Sequence, residues 1–442
     1  MSNVSPLLAG ILVISASVAT ASGFPEPNPF PYPFAPLPEI YHDGWIDLNK
    51  NGKMDVYENP AAELDARIKD LIGQMTPEEK AVQLLTLYAY PSACKDKFPT
   101  LDWKKRVWKD GIANIDQAGD AFANGVKEYN KTPELNARYL NCLQRFFVEQ
   151  TRLGIPADMT NEGIRGANVL HGTSFPSPHA QGMTWDPALA YQIGHVMGME
   201  SKAVGYTNVY GPILDVARDQ RWGRWEGTIA EDPFLVAEIG KQIAKGIQDT
   251  EIAASPKHFV GYGENKGARG WDSRTDPHIT AQTFEAIHMY PFQRVFSEIS
   301  PLGVMCAYND VNGVPVGSSV ELLKKRLREE FGFRGYVVSD SGTVERLANS
   351  MRIAKDLKEA HALRIHAGLN VWTNFAQPDK PAHWIVEAIQ DGSLSMSDVD
   401  SAVADVLRVK FLIGLFDKPY VKTPAAANAI VGNQKFQDIA LQ

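Results

Sequence analysis

Gly335-Tyr336-Val337-Val338-Ser339-Asp340-Ser341-Gly342 is an apolar run that ends on a carboxylate, and the same construction recurs along the chain. Val and Tyr favour a strand, and a charge at the end of a buried strand is costly unless it is bonded or working. Upstream, residues 303–307 run into Tyr308-Asn309, 252–256 into Lys257-His258, 208–214 into Asp215 and Arg218, and 155–159 into Asn161-Glu162. Residues 112–115 and 369–372 are further apolar runs. Between these lie stretches of helical period at 187–204, 233–247, 281–299 and 322–330. Strand and helix alternating about seven times is the pattern of a parallel α/β domain. In a TIM-type, (β/α)8-like barrel all strands end on one face, which brings these polar residues to one mouth. A doubly wound open sheet competes, but no Gly-rich nucleotide fingerprint follows the first strand. The barrel is the expected fold.

Composition agrees. The chain has 442 residues, 44% hydrophobic and 22% charged, which is enough to bury a large core in one barrel domain. Lys+Arg 44 against Asp+Glu 52 leaves a net charge of −8, which argues against nucleic acid or an anionic membrane as the main partner. Nine Trp and 15 Tyr supply flat amphipathic rings of the kind that suit carbohydrate faces. Cys94, Cys142 and Cys306 are too few for a disulfide framework and have no metal spacing; Cys94 and Cys142 are the pair an oxidising compartment would join.

Residues 1–23 carry no charged side chain, 7–18 are mostly apolar, and Ala19-Thr20-Ala21 offers a cleavage site. Residues 1–21 therefore read as a signal peptide, and the protein as exported, periplasmic or extracellular. The apolar run falls short of the roughly 20 residues of a membrane span. Seven prolines follow between Pro25 and Pro38, which exclude helix and central strand and leave an extended linker, over 22–60, or a strap laid on the domain. The barrel is expected over 61–425. Leu64, Ile68, Leu71 and Ile72 give its first, amphipathic helix, and Thr76 as N-cap with Pro77 at the first helical position starts a second.

Three motifs carry chemistry. Asp340 is placed to act as nucleophile or base, or simply to cap the next helix. Lys257-His258 can hold vicinal sugar hydroxyls, with Lys as donor and His as donor or acceptor, or can be a buried salt bridge beside a core histidine. The stretch from Arg218 to Arg224 sets three arginines around Trp222, followed by Glu226, Glu231 and Asp232, and suits an ion-pair network that aims one arginine at a ligand. Ahead of the barrel, 47–58 fits the 12-residue calcium loop. Asp47, Asn49, Asn51, Asp55 and Glu58 supply side-chain oxygens, the Lys53 carbonyl another, and Gly52 the turn. A bound Ca2+ there would serve folding, not catalysis; the other reading is a polar turn capped by Asp and Asn.

Taken together, these motifs resemble glycoside hydrolase family 3 in order and spacing. The resemblance runs from about Ala62 to the C-terminus. It includes Gly154-Ile155-Pro156, Asn161-Glu162-Gly163-Ile164-Arg165-Gly166, Phe175-Pro176, Arg221-Trp222-Gly223-Arg224 and Glu231-Asp232-Pro233. Lys257-His258-Phe259, Ala307-Tyr308-Asn309, Asn312-Gly313 and the stretch from Gly335 to Asp340 complete it. Within the family the chain looks most like bacterial β-glucosidases and β-xylosidases. The resemblance implies an exo-acting hydrolase that removes terminal, non-reducing β-D-glucosyl or β-D-xylosyl residues from oligosaccharides with retention, without an organic cofactor.

Residue by residue it implies that Asp340 is the nucleophile forming a glycosyl-enzyme intermediate. Glu162 matches the acidic residue that grips sugar hydroxyls, with Asp158 near enough in sequence to compete. Arg224, Lys257 and His258 match the positions around the terminal sugar, and Tyr308 the tyrosine beside the nucleophile. Departures stand out: Ser341 where many β-glucosidases have Trp, Gln220 for a common Pro, and Asp272-Ser273-Arg274 where one branch carries an Asp-Ser-His acid/base loop. Two-domain members place the general acid on a second domain, and 426–442 would begin the linker into it. A truncated product, a separate chain carrying that domain, or a substitute residue are the ways to account for the acid, in that order. The rivals are a carbohydrate-binding remnant without cleavage and, less well supported, a barrel aldolase using Lys257 as a Schiff base.

Overall fold

The computed structural model describes residues 24–89, 94–264 and 276–442. Five parallel strands pair in chain order: β1 (Thr86–Tyr88), β2 (Asn114–Asp116), β3 (Asp158–Asn161), β4 (Asn208–Val209) and β5 (Ala253–Ala254). A second parallel ladder joins β6 (Lys257–Phe259), β7 (Gly303–Cys306) and β8 (Tyr336–Ser339). Single bridges close the ring, from Ile213 to Lys257, from Val338 to Val371, and from Trp372 to Leu85 beside β1. With β5 and β6 as one stave broken at Ser255-Pro256, and 371–372 as the last, the ring is a (β/α)8-like barrel. β1 lies in a stretch with no strand expectation, and it supplies the stave that completes the circle.

The helices begin and end where side chains satisfy their free backbone groups. Pro187–Val204 starts with the Asp186 carboxylate accepting the amides of Ala188 at 2.9 Å and Leu189 at 3.1 Å, and stops at Gly205, whose φ of +100° is left-handed. Asp232 caps Pro233–Gln248 in the same way, and Thr76 with Glu79 forms a capping box on Pro77–Val82. These helices shield the outer face of the barrel with Ile193, Val196, Ile239 and Ile243.

The barrel interior is polar. Asp158 accepts the Tyr336 hydroxyl at 2.7 Å, the Thr207 hydroxyl at 2.6 Å and the Asn208 amide at 3.2 Å. Those bonds hold Asp158 inside the barrel, so the carboxylate that reaches the mouth from β3 is Glu162, just past its end.

The proline-rich stretch is a strap, not a free linker. Phe30 stacks on Phe98 with centroids 5.2 Å apart, Arg145 lies over the Tyr32 ring at 4.6 Å, and the Asn28 amide donates to the Arg138 carbonyl at 2.6 Å. Farther along, Ile40, Tyr41, Ile46, Leu48 and Tyr57 are buried in the main core. At the other end, 426–442 also lies on the barrel: the Gly432 amide donates to Glu200 at 2.8 Å, and Phe436 and Ile439 pack on the outer cluster. All three cysteines are free thiols; Cys142 faces the Pro31 carbonyl and Cys94 that of Asp96, so the two are not joined. The signal-peptide stretch 1–21 lies outside the described residues, among which no helix is long and apolar enough to cross a membrane.

Candidate active site

The strand ends converge as a barrel requires. A cleft of about 620 Å³ is lined by Glu162 after β3, Arg224 from the loop beyond β4, Lys257 and His258 on β6, Tyr308 after β7 and Asp340 after β8. All six side chains expected to bind or attack a sugar therefore meet in one place. The cleft volume lies in the range usual for small-molecule sites. Asp272-Ser273-Arg274 lie outside the described residues.

Asp340 is carried on a short turn. Gly342, two residues on, has φ +81°, a left-handed conformation that favours glycine, and it opens the helix Thr343–Asn349. The Asp340 side chain accepts its neighbour's amide, Ser341 N, at 2.8 Å on one oxygen. Its other oxygen faces Arg224 Nη1 and His258 Nε2, each at 3.5 Å. The Tyr308 hydroxyl donates to the Ser341 carbonyl at 3.0 Å, so the tyrosine pins the turn that presents the carboxylate. Burial and then the Asp340 charge push the Tyr308 hydroxyl far above the usual phenol range, so it stays a donor. Burial works against the charge of Arg224, but Asp340, Tyr262 and Asp215 more than offset it and raise its pKa.

On the opposite side Lys257 forms a close ion pair with Glu162. The lysine side chain is 1% exposed and the glutamate 27%, so the carboxylate is the partner facing the cleft. An ammonium and a carboxylate set together offer both donor and acceptor to vicinal hydroxyls. Beneath them Asp116 is fully buried, bonded by the Thr160 hydroxyl at 2.6 Å; burial, then the Glu162 charge, pushes its pKa up to about 8. Behind His258, Asp215 Oδ2 lies 2.6 Å from Nδ1.

Several lining residues carried no expectation. The Gln117 amide donates to the Tyr88 hydroxyl at 3.0 Å, and Tyr88 packs on Phe375 with centroids 4.7 Å apart. Asp120 accepts the Asn168 amide at 3.2 Å. Asp116-Gln117 close β2 on polar residues as the other strands close, which is the signal that marks them. Tyr88 closes a stave that runs into Ala89 with no polar ending, and Phe375 follows the polar pair Thr373-Asn374, which carries no charge to draw notice.

The 47–58 loop lies apart from the cleft and bonds to itself. Asp47 accepts the amides of Asn51 at 3.0 Å and Gly52 at 2.8 Å, Asn51 accepts that of Lys53 at 2.7 Å, and Asp55 is held by the side-chain amides of Asn49 and Asn51. Glu58, the expected bidentate arm, is buried and accepts the amides of Leu48, Asn49 and Asp55 at 2.7, 3.1 and 2.9 Å. The oxygens thus fit an ion in part, and Glu58 is turned to the backbone. Among the described residues no group of three or more His, Cys, Asp or Glu side chains is gathered as a metal site.

Residues 77–409 match the glycosyl hydrolase family 3 N-terminal domain. A putative β-xylosidase of Formosa agariphila is 29% identical over 85% of this chain and 49% of its own length. The periplasmic β-glucosidase/β-xylosidase of Dickeya chrysanthemi is 29% identical over 92% of this chain and 67% of its own. Among solved structures, a β-glucosidase from Erythrobacter marinus superposes with a TM-score of 0.78 at 27% identity, covering 88% of this chain and 50% of that one. The chain spans about half the length of the first of these relatives.

Proposed function

The chain belongs to glycosyl hydrolase family 3, and from that premise we propose that its cleft binds the terminal, non-reducing β-D-glucosyl or β-D-xylosyl unit of an oligosaccharide. Asp340 attacks the anomeric carbon, and the product retains its configuration. The observation that carries this reading is the meeting of Glu162, Arg224, Lys257, His258, Tyr308 and Asp340 in one cleft, with the Asp340 carboxylate facing a guanidinium and an imidazole.

In the first step an Asp340 oxygen forms a bond to C1 as the C1–O bond to the leaving group breaks; water then hydrolyses the ester. Arg224 and His258 orient the carboxylate, while Lys257 and Glu162 hold ring hydroxyls and fix the sugar for in-line attack. Tyr308 steadies the turn behind the nucleophile. Retention requires a second carboxyl about 5 Å from the first as acid and then base. The other carboxyls lining the cleft among the described residues are Glu162, paired with Lys257, and Asp120, bonded to Asn168. We assign neither as the acid; a truncated product, a separate chain carrying a second domain, or a substitute residue are the ways to account for it, in that order.

Hydrolysis of dinitrophenyl β-glucoside and β-xyloside, whose leaving group departs without a proton, tests the reading. Release by the wild-type chain, its loss in Asp340→Asn, and a β-configured first product by NMR are expected. An α-configured first product overturns the mechanism. Tight sugar binding without release favours a chain that holds sugars without cleaving them. We further propose export and a calcium ion in the 47–58 loop with a folding role; the N-terminal residue of the mature protein tests the first.

A further inference from the structure

His258 is strung between two carboxylates, only one of which faces the cleft. Asp215, just past Ile213-Leu214, has a side chain 1% exposed, and its Oδ2 lies 2.6 Å from His258 Nδ1 and 3.4 Å from the His258 amide. The opposite ring nitrogen, Nε2, is 3.5 Å from Asp340 Oδ2. Among the described residues Asp215 Oδ1 has no hydrogen-bond partner, so the carboxyl is held at a cost that packing alone does not repay. We propose that Asp215 is a positioning residue that keeps a proton on His258 Nε2, so that this nitrogen faces Asp340 and the sugar as a donor. The proposal deepens the glycosidase reading of the cleft and rests on it.

Proton accounting supports the assignment. The Nδ1–Asp215 contact needs one proton and the Nε2–Asp340 contact another. With both present, the Asp215–His258 pair is net neutral whether the shared proton sits on Nδ1 or on the carboxyl. A lone imidazole protonated on Nδ1 would instead turn a bare Nε2 toward the Asp340 carboxylate, acceptor against acceptor. Burial pushes Asp215 up to about 7, within the range of an ordinary imidazole, so the shared proton can sit on either partner. Arg224, Lys257 and Asp340 act on the pair, the first two favouring the carboxylate and the last opposing it, and Tyr262 packs on the imidazole at 5.4 Å. When attack converts the Asp340 carboxylate into an ester, the proton on Nδ1 passes to Asp215 Oδ2. No imidazolium is then stranded beside a neutral nucleophile.

The test is ¹⁵N NMR of histidine-labelled full-length protein between pH 5.5 and 8.5, with His258 identified by the signal missing in His258→Gln. The expected result is a protonated Nε2 throughout in the wild type. Asp215→Asn, whose amide can donate to Nδ1, should keep that state. Asp215→Ala should release that constraint, so that the protonation of His258 Nε2 changes across this pH range. A bare Nε2 with a protonated Nδ1 at neutral pH, or the same His258 titration in wild type and Asp215→Ala, overturns the proposal. With fluorosugar donors, Asp215→Ala should form its covalent adduct on the order of 10- to 100-fold more slowly, the range found when the carboxylate behind a metal-bound histidine is removed. Asp215→Asn should restore most of that rate. If the wild type forms no adduct, the glycosidase reading fails, while the NMR result still decides the role of Asp215.

Discussion

Lys257 is paired with Glu162 inside the barrel mouth, and breaking that pair should cost sugar binding directly. Lys257→Ala is expected to weaken binding of glucose or xylose by about 10- to 100-fold, the worth of a charge-assisted hydrogen bond. Unchanged calorimetric affinity in a folded variant would remove Lys257 from the site. Asp116 makes a different prediction. Its folded pKa lies above the unfolded value, so the folded chain holds a proton that the unfolded chain releases. Its contribution therefore lowers stability as pH rises from about 4 to about 8. Asp116→Asn should gain thermal stability relative to wild type at pH 8 compared with pH 5; an equal offset at both would show that Asp116 ionises freely. At this scale the sequence spoke clearly where a motif placed a charge after a strand. It was mute on the choice between Asp158 and Glu162, which lie four positions apart on and just beyond β3. That choice depends on the Tyr336 hydroxyl, far away in the chain, which holds Asp158 inward.

Short elements set what could be read of the architecture. Helices with a cap and a proline announced themselves, and Pro187–Val204 begins and ends where its period does. β1 was hidden because Thr86–Tyr88 continues the apolar run of the helix Pro77–Val82, and a buried strand and a buried helix end share that pattern. The strap was legible as extended but not as docked, since its anchors lie far along the chain, on Phe98 and on the helix Pro133–Gln150. There Arg145 packs on Tyr32 and pairs at 2.8 Å with Glu149, whose side chain is fully buried. Arg145→Ala leaves that buried carboxyl with the Tyr41 hydroxyl at 3.2 Å but without its guanidinium, and should destabilise the fold by about 3 kcal/mol in urea titration. Arg138→Ala, whose partners Glu26 and Glu134 are partly exposed, should cost about 1 kcal/mol or less. Equal losses would show that the strap is held by its apolar rings alone. For the 47–58 loop, millimolar calcium should raise the melting temperature by a few degrees over EGTA. An unchanged temperature would leave a polar turn and no ion.

The whole molecule is a machine for convergence: staves distant in sequence deliver their last residues to one mouth, so a fold inferred from alternation also predicts a site. The helices and the polar barrel interior form a rigid scaffold that holds His258 on its stave and carries the turn of Asp340 and the loop of Arg224. Asp215 was legible as a strand-end residue, but its pairing with His258 and the aromatic wall of Tyr88 and Phe375 emerged only from the three-dimensional arrangement, because neither contact has a counterpart in local spacing. The central claim is that this barrel holds a competent nucleophile. Its most direct test is intact-mass analysis after incubation with 2-deoxy-2-fluoro glucosyl and xylosyl donors bearing dinitrophenolate, since that step needs no general acid. The account predicts a stable covalent adduct that maps to Asp340 and is absent from Asp340→Asn, with the faster sugar marking the preferred substrate. No adduct with either donor, from protein shown to be folded, would contradict it.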